Sequence, residues 1–441
     1  MSGKASLLLV LGFSALFGLF GRNMLTSSNA TVDNFSFYFN RTQANQIARS
    51  GVYIAMANIN ILNVNYTGGS YNLGDGHVDV TLVTNGTNGT RRVTSVGSYG
   101  SGISQVADTI ITTLRQRSYS EYGNYYNKFA LSSGSTVWAA TGDVFDGKFH
   151  ANDLIRCYGN PEFKGEVTTS KGIQLYDKFS NPIFHEGYKV TAAEIPTIDM
   201  ATLSLASAGG KIFYDTTNAN RFTDVYLKFY SNGTVDYKSK IGTGSWSTIK
   251  NVPIGSLTSK GLIYIKAGKV SVEGVLNGQV TIVATKNGST NTDAGSVWIN
   301  NSITYATDPN LDYGKTSPPF SCDDMLGLVA EKEVMVTYNN SRGDIDIHAS
   351  IFAQDGGLRI KDYGSYSAAH DMNLVGGIIG NFVEPTAKYS NTPPYPATNG
   401  YRYVHKYDSR FDAWTPPYFP KRRLFVPELW YTGNVKIPVW G

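Results

Sequence analysis

The sequence predicts an α+β chain, mainly β: a long N-terminal helix, a small antiparallel sheet, then a β-solenoid with a hairpin insertion and an extended C-terminal tail. Three observations carry this reading. Leu7 to Phe20 form an apolar run, and apolar or small residues then recur at Ala44, Ala48, Gly51, Ala55, Ile59 and Leu62, the stripe of an amphipathic helix. The stretch FDGKFHAN from Phe145 returns 18 residues later as FKGEVTTS from Phe163, with a looser copy, LNGQVTIV, from Leu276. Nine of the 16 prolines fall after Glu384, where they remove ladder donors and favour extended loop over central sheet. The segments expected are 1–62 (helix), 63–136 (sheet), 137–383 (solenoid, with an insertion near 215–245) and 384–441 (tail).

No proline occurs before Pro161, and Gly12, Gly18 and Gly21 weaken a helix without forbidding it. Ala5 to Leu62 therefore reads as one rod, about 87 Å long. An apolar start of this kind also fits a secretory signal peptide with a small Ser28-x-Ala30 end, or a short membrane anchor, since spanning takes about 20 apolar residues. A helix apolar all round at one end and striped at the other suits an element stored in a membrane and then packed among copies of itself.

The start GKASLLLVLGFS and the segment QANQIARSGVYIAMANI resemble the type IV pilin-like proteins, and within them the PilX-type and K-type minor pseudopilin group. The resemblance implies an inner-membrane stage, handling by pilus assembly machinery, and a homo-oligomeric helical filament displayed extracellularly at the cell surface. Its polymer core would be lined by Leu7, Leu8, Leu11, Phe13, Leu16, Phe20, Ile47, Val52 and Ile59. There is one departure: pilins usually carry Glu five residues after their cleavage site, and cleavage after Gly3 places Leu8 there.

HVDVTLV (His77 to Val83) and RRVTSVGSY (Arg91 to Tyr99) alternate as strands around the turn signal NGTNG. ADTIITTLRQ (Ala107 to Gln116) reads as a third strand on its Thr and Ile content, although Ile103, Val106, Ala107, Ile110, Ile111 and Leu114 also fit a helix face. Such a sheet leaning on the helix is what the pilin resemblance implies. In the body, glycine between two charged or polar residues lets the chain turn, and flanking apolar residues point inward from short strands. LIYI, KVSV, GQVTIVA and SVWI repeat that grammar between AG, NG and NGS turns, as do MLGLVAEKEVMVTY, DIDIHASIFA and LVGGIIGNFV further on. A β-sandwich with coincidental similarity is the alternative. If the coil is real, Phe145 and Phe163 stack in adjacent turns. FTDVYLKFYSNGTVDYKSK (Phe222 to Lys240) is a hairpin expected to project from the coil. The tail's aromatics are expected to cap the open end or to lie on a neighbouring subunit.

TGDVFDGKFHANDLIRCYGNPEFKGEVTTS, IYIKAGKVSVEGVLNGQVTIVA, DMLGLVAEKEVMV and IDIHASIFA resemble a poorly characterised bacterial domain that accompanies PilX-type N-termini in surface proteins. That likeness carries fold and location, and no activity.

Chemistry is sparse. Charge is nearly balanced, 38 Lys and Arg against 34 Asp and Glu, without a basic stripe, so no nucleic-acid partner is expected. The six histidines show no metal spacing, and no P-loop, GxSxG or dinucleotide motif occurs, so no metal, cofactor or catalytic residue is expected. His150 and His348 read as satisfied polar positions on strands. Asp143, Asp146 and Asp153 would either serve turns or line one coil face for acid/base work on polysaccharide. Cys157 and Cys322 are either one disulfide or two buried thiols. Glycosylation sequons are frequent, including those at Asn29, Asn34, Asn40, Asn65, Asn85, Asn88 and Asn232, and reflect an Asn- and Thr-rich composition. The expected function is a non-enzymatic filament subunit. The alternatives are a minor or tip pseudopilin of a pilus or secretion system, and a secreted or anchored β-helix that binds or cleaves polysaccharide.

Overall fold

Ser2–Ala57 is one continuous α-helix (α1), and its last turn widens into a π-helix at Asn58–Leu62. The computed structural model describes residues 2–62, 65–84, 90–102, 105–198, 210–390 and 396–432. The predicted NGTNG turn and Ile103 lie outside the described residues. The chain divides into two compact units, Met1–Arg117 with Arg423–Gly441, and Ser118–Arg422.

In the first unit, β1 (Gly68–Leu73), β2 (Gly76–Thr84), β3 (Arg91–Tyr99) and β4 (Val106–Ser118) form an antiparallel sheet in sequence order. The third stretch is thus a strand, its β-branched content prevailing over the helical face. Ala44, Ile47, Ala48, Val52, Ala55 and Ile59 are buried beneath Val78, Val80, Val93 and Ile110. Small residues let backbones meet here: a Cβ on Gly97 would stand 2.3 Å from Ala44 O and 2.4 Å from Ala48 N.

The tail departs from its expectation as loop. Lys421–Thr432 is a strand at the sheet edge beside β4. Its single proline, Pro427, is tolerable because an edge strand has an unpaired side. The Asn60 carboxamide holds this strand from the π-turn, donating to Phe425 O (3.0 Å) and accepting from Phe425 N (2.8 Å). Phe425 is buried, with the Arg91 guanidinium 4.4 Å over its ring.

In the second unit the strands stack in parallel as successive coils. Val144–Phe145, Glu162–Phe163 and Ile183–Phe184 form one ladder, and Lys148–Ala151, Val167–Thr169 and Tyr188–Val190 a second. Ala139–Ala140, Ile155–Tyr158 and Ile173–Leu175 form a third. Phe149, Ile155, Cys157, Phe163 and Val167 fill the interior. As expected, Phe145 and Phe163 stack, their rings 4.8 Å apart and 17° from parallel.

The coil's threading was not expected. Tyr122–Lys128 pairs in parallel with Lys148–Ala151 on one side and with Ala369–Phe382 on the other. Beyond Ala369–Phe382 the same ladder continues through Ile345–Ala353, Met325–Ala330, Gln279–Ala284, Leu262–Ile265 and Lys211–Phe213. The chain therefore enters the coil part-way along, winds to one end, restarts at the other and returns to its own first strand. Among the described residues the ladder has two terminal strands, Tyr188–Val190 and Lys211–Phe213, and does not close into a barrel.

Two further elements are more integrated than their sequence implied. The hairpin Thr223–Phe229/Thr234–Ile241 forms around Gly233, whose φ of +80° suits glycine, but its first strand pairs in parallel with Gly268–Leu276 and is itself a rung. In the tail, Ala397–Lys406 lies in a proline-free stretch and pairs in parallel with Ala369–Phe382. Instead of capping Tyr188–Val190, all of whose residues are exposed, the tail residue Phe419 and the preceding Ile198 cover the flank of the long ladder over Tyr125, Val283, Val329 and Phe352. The boundaries expected at 62/63, 136/137 and 383/384 do not coincide with the two units, because helix and sheet share one core and the tail contributes a strand to each unit.

Candidate functional site

The feature that calls for a function is the N-terminal half of α1. Leu7, Leu8, Leu11, Phe13, Leu16 and Phe20 are 51–71% exposed, and Met24, Leu25, Phe35, Phe37, Tyr38 and Phe39 are exposed with them. The other three expected core-lining residues behave differently: Ile47, Val52 and Ile59 are buried under the chain's own sheet and are not open to a neighbour. The helix is long and apolar enough to cross a membrane, its most apolar 18-residue window having a mean hydropathy of 1.8 with none of it buried. Where the helix meets the sheet edge, Tyr38, Arg41, Thr42, Asn45, Asp108 and Thr432 line an open cleft of about 430 Å³. Asp108 is already engaged there, accepting from Asn45 Nδ2 at 2.7 Å.

His150, His348 and His405 of the second unit are each held by hydrogen bonds. His150 is buried, its Nδ1 2.7 Å from Thr168 Oγ1, its Nε2 2.8 Å from Asn152 Oδ1, and its face stacked on Tyr125 at 4.4 Å. Burial pushes its pKa down. His348 Nδ1 accepts from the Tyr305 backbone N–H at 3.1 Å, and burial lowers its pKa too. His405 bridges two strands at the junction of the coil's two halves, with Nε2 3.1 Å from Gly376 O and Nδ1 3.3 Å from Asn124 Nδ2. Burial pushes its pKa down to about 4.

Asp143, Asp146 and Asp153 have separate tasks. Asp143 accepts from Ala140 N at 2.7 Å, and burial raises its pKa to about 6. Asp146 accepts from Tyr407 N (3.0 Å), Tyr313 OH (3.1 Å) and Gly147 N (3.1 Å). Asp153 pairs with Lys171 at 2.9 Å. Cys157 and Cys322 are buried free thiols whose pKa values burial pushes up to about 12 and about 11. Among the described residues no group of three or more His, Cys, Asp and Glu is arranged to hold a metal.

Two features escaped the sequence reading. Phe184 is a third ring in the ladder, 5.0 Å from Phe163 and 21° from parallel. Its stretch FHEGYKV is a copy of the repeat with one extra residue between Phe and Gly. Arg410 is fully buried and paired with Asp408 at 2.6 Å; its Nη1 also donates to Cys322 O at 2.6 Å. Only the short spacing Asp-x-Arg in the tail signals it.

A family match covers part of this architecture. Residues 77–171 match the model of a domain of unknown function (DUF4900). No curated protein matches. Among solved structures, the chain is similar to the competence-associated pilin ComZ from Thermus thermophilus, at 12% identity and a TM-score of 0.35, over 89% of this chain and 97% of that one.

Proposed function

We propose that the chain is a non-enzymatic, pilin-like subunit of an extracellular filament. Its apolar helix half is held in the inner membrane, released by assembly machinery, and packed with copies of itself as the filament core, while the coils face outward. The placement of the exposed apolar side chains in two stretches, Leu7 to Leu25 and Phe35 to Phe39, separated by the mostly polar TSSNATVDN, supports this reading. From Lys4 to Phe39 the helix runs about 54 Å, against about 30 Å for the hydrocarbon of a bilayer. A span ending near Leu25 leaves Phe35, Phe37, Tyr38 and Phe39 roughly 15 Å or more beyond it. Copies of the same rod cover both stretches. Burying the area that Leu7, Leu8, Leu11, Phe13, Leu16 and Phe20 still expose to water is worth roughly 5–11 kcal/mol before the costs of association.

The test is negative-stain microscopy of material sheared from the cell surface, with mass spectrometry of the mature chain. Uniform filaments whose subunit retains Leu7 to Leu25 are expected. A mature chain lacking that stretch would sink the proposal, and scarce copies at filament ends would replace it with the tip role.

A further inference from the structure

Between Ser2 and Asn40 the helix carries only three charged side chains, Lys4, Arg22 and Asp33, all exposed. Their spacings of 18 and 11 residues are five turns and about three turns, so the three fall within about 20° of one another on a single stripe. Arg22 and Asp33 are about 16.5 Å apart along the axis, too far to meet within one helix. Among the described residues neither side chain has an ion-pair or hydrogen-bond partner. Gly18 and Ala15 lie on the same stripe, about one and two turns before Arg22. A Cβ added at Gly18 would meet nothing within 4 Å, so the fold of this chain gives no reason for glycine there. Small residues on an apolar helix let a second helix approach closely, and a charge enclosed among apolar helices needs an opposite charge.

Resting on the filament reading above, we propose that this stripe is the seam against a second copy of the chain, staggered by 11 residues, with Arg22 of one copy paired to Asp33 of the next. The stagger is about 16.5 Å. Charge complementarity selects it. Pairing Lys4 with Asp33 instead needs a 29-residue offset, which leaves about 7 exposed helical residues side by side, whereas the 11-residue offset leaves about 25.

The experiment compares sheared filament yield from cells making the full chain as wild type, Arg22→Asp, Asp33→Arg, or both together. Each single change is expected to lower the yield at least ~10-fold by enclosing like charges, and the double exchange to recover most of it. A second measurement does not depend on charge. The native cysteines are buried, so Ala15→Cys with Thr26→Cys, which face one another at this stagger, should give a ladder of disulfide-linked multimers on mild oxidation. Ala15→Cys with Ala30→Cys should not. If wild-type cells yield no filaments, the functional reading itself fails. If they do, and the single charge variants assemble like wild type or the Ala15/Thr26 pair gives no ladder, the seam is overturned while the filament stands.

Discussion

Replacing Phe163 by alanine removes the middle ring of a three-ring stack. Phe163 is fully buried, with Phe145 and Phe184 stacked on its two sides at 4.8 and 5.0 Å and the edge of Phe149 at 5.1 Å. A buried Phe→Ala change costs about 3–5 kcal/mol, and each aromatic pair beyond area burial is worth about 0.5–1.5 kcal/mol. With rings packed on three sides of Phe163, a loss near the top of that range, about 4–5 kcal/mol, is expected. Phe145 and Phe184 are partly exposed, and among the three ladder rings each has one stacked neighbour, so alanine there should cost about half as much. Phe163→Leu keeps most of the apolar volume and should cost under ~1.5–2 kcal/mol. Urea unfolding of the full chain in detergent, followed by tryptophan fluorescence, measures all four. Should Phe163→Ala cost no more than Phe145→Ala, the stacked interior would not be what holds these coils together.

Arg410→Met leaves Asp408 buried without its cation and should destabilise the second unit by about 3–5 kcal/mol in the same assay, whereas Asp408→Asn combined with Arg410→Met should cost less. His405 contributes stability that is complete above pH 6.5 and is lost as the pH falls through 6.5 towards 4, up to about 3 kcal/mol, because the unfolded chain binds the proton first. His405→Gln should flatten the acid side of the stability profile by that amount. Asp143 works in the opposite sense: its raised pKa of about 6 costs stability above pH 6, and the loss is recovered as the pH falls towards 3.8. Asp143→Asn should therefore raise stability at pH 7 and steepen the fall on acidification, both read from urea midpoints across pH 4–8.

Local patterns were legible in the sequence. The helix, β2, β3 and the 18-residue repeat follow from period and turn chemistry, which act between near neighbours. What failed is what local pattern does not encode. An 18-residue period says that Phe163 lies over Phe145, but not that the coil's other half returns to Tyr122 from the opposite end. Phe184 is hidden because it follows Phe163 after 21 residues instead of 18 and has one extra residue before its glycine, while the ring keeps its place in the ladder. The tail was misread because proline content was averaged over 384–441, although the rung Ala397–Lys406 contains none and Pro427 lies on an edge. In the candidate site, the exposed residues Leu7 to Phe20 were legible from composition. Ile47, Val52 and Ile59 were not separable from them, since a helical stripe looks the same whether a sheet of the same chain or a helix of another covers it.

Glycine separates those two situations better than hydrophobicity does. Gly97 is required by the chain itself, because a methyl group there would press on the Ala44 carbonyl and the Ala48 amide, backbone atoms that cannot step aside. Gly97→Ala should push α1 from β3 and cost about 1–3 kcal/mol. Gly18 sits in open space, and glycine in a helix interior is about 0.8–1 kcal/mol worse than alanine. Judged on the single chain, Gly18→Ala should be neutral or stabilising, and circular dichroism of the detergent-solubilised protein should show a helix at least as resistant to heat. If the stripe packs against a second copy, the same methyl group stands between two helix backbones, and filament yield should fall while monomer stability does not. An alanine variant that improves both would mean that Gly18 is an ordinary weak point and that close approach is not its purpose.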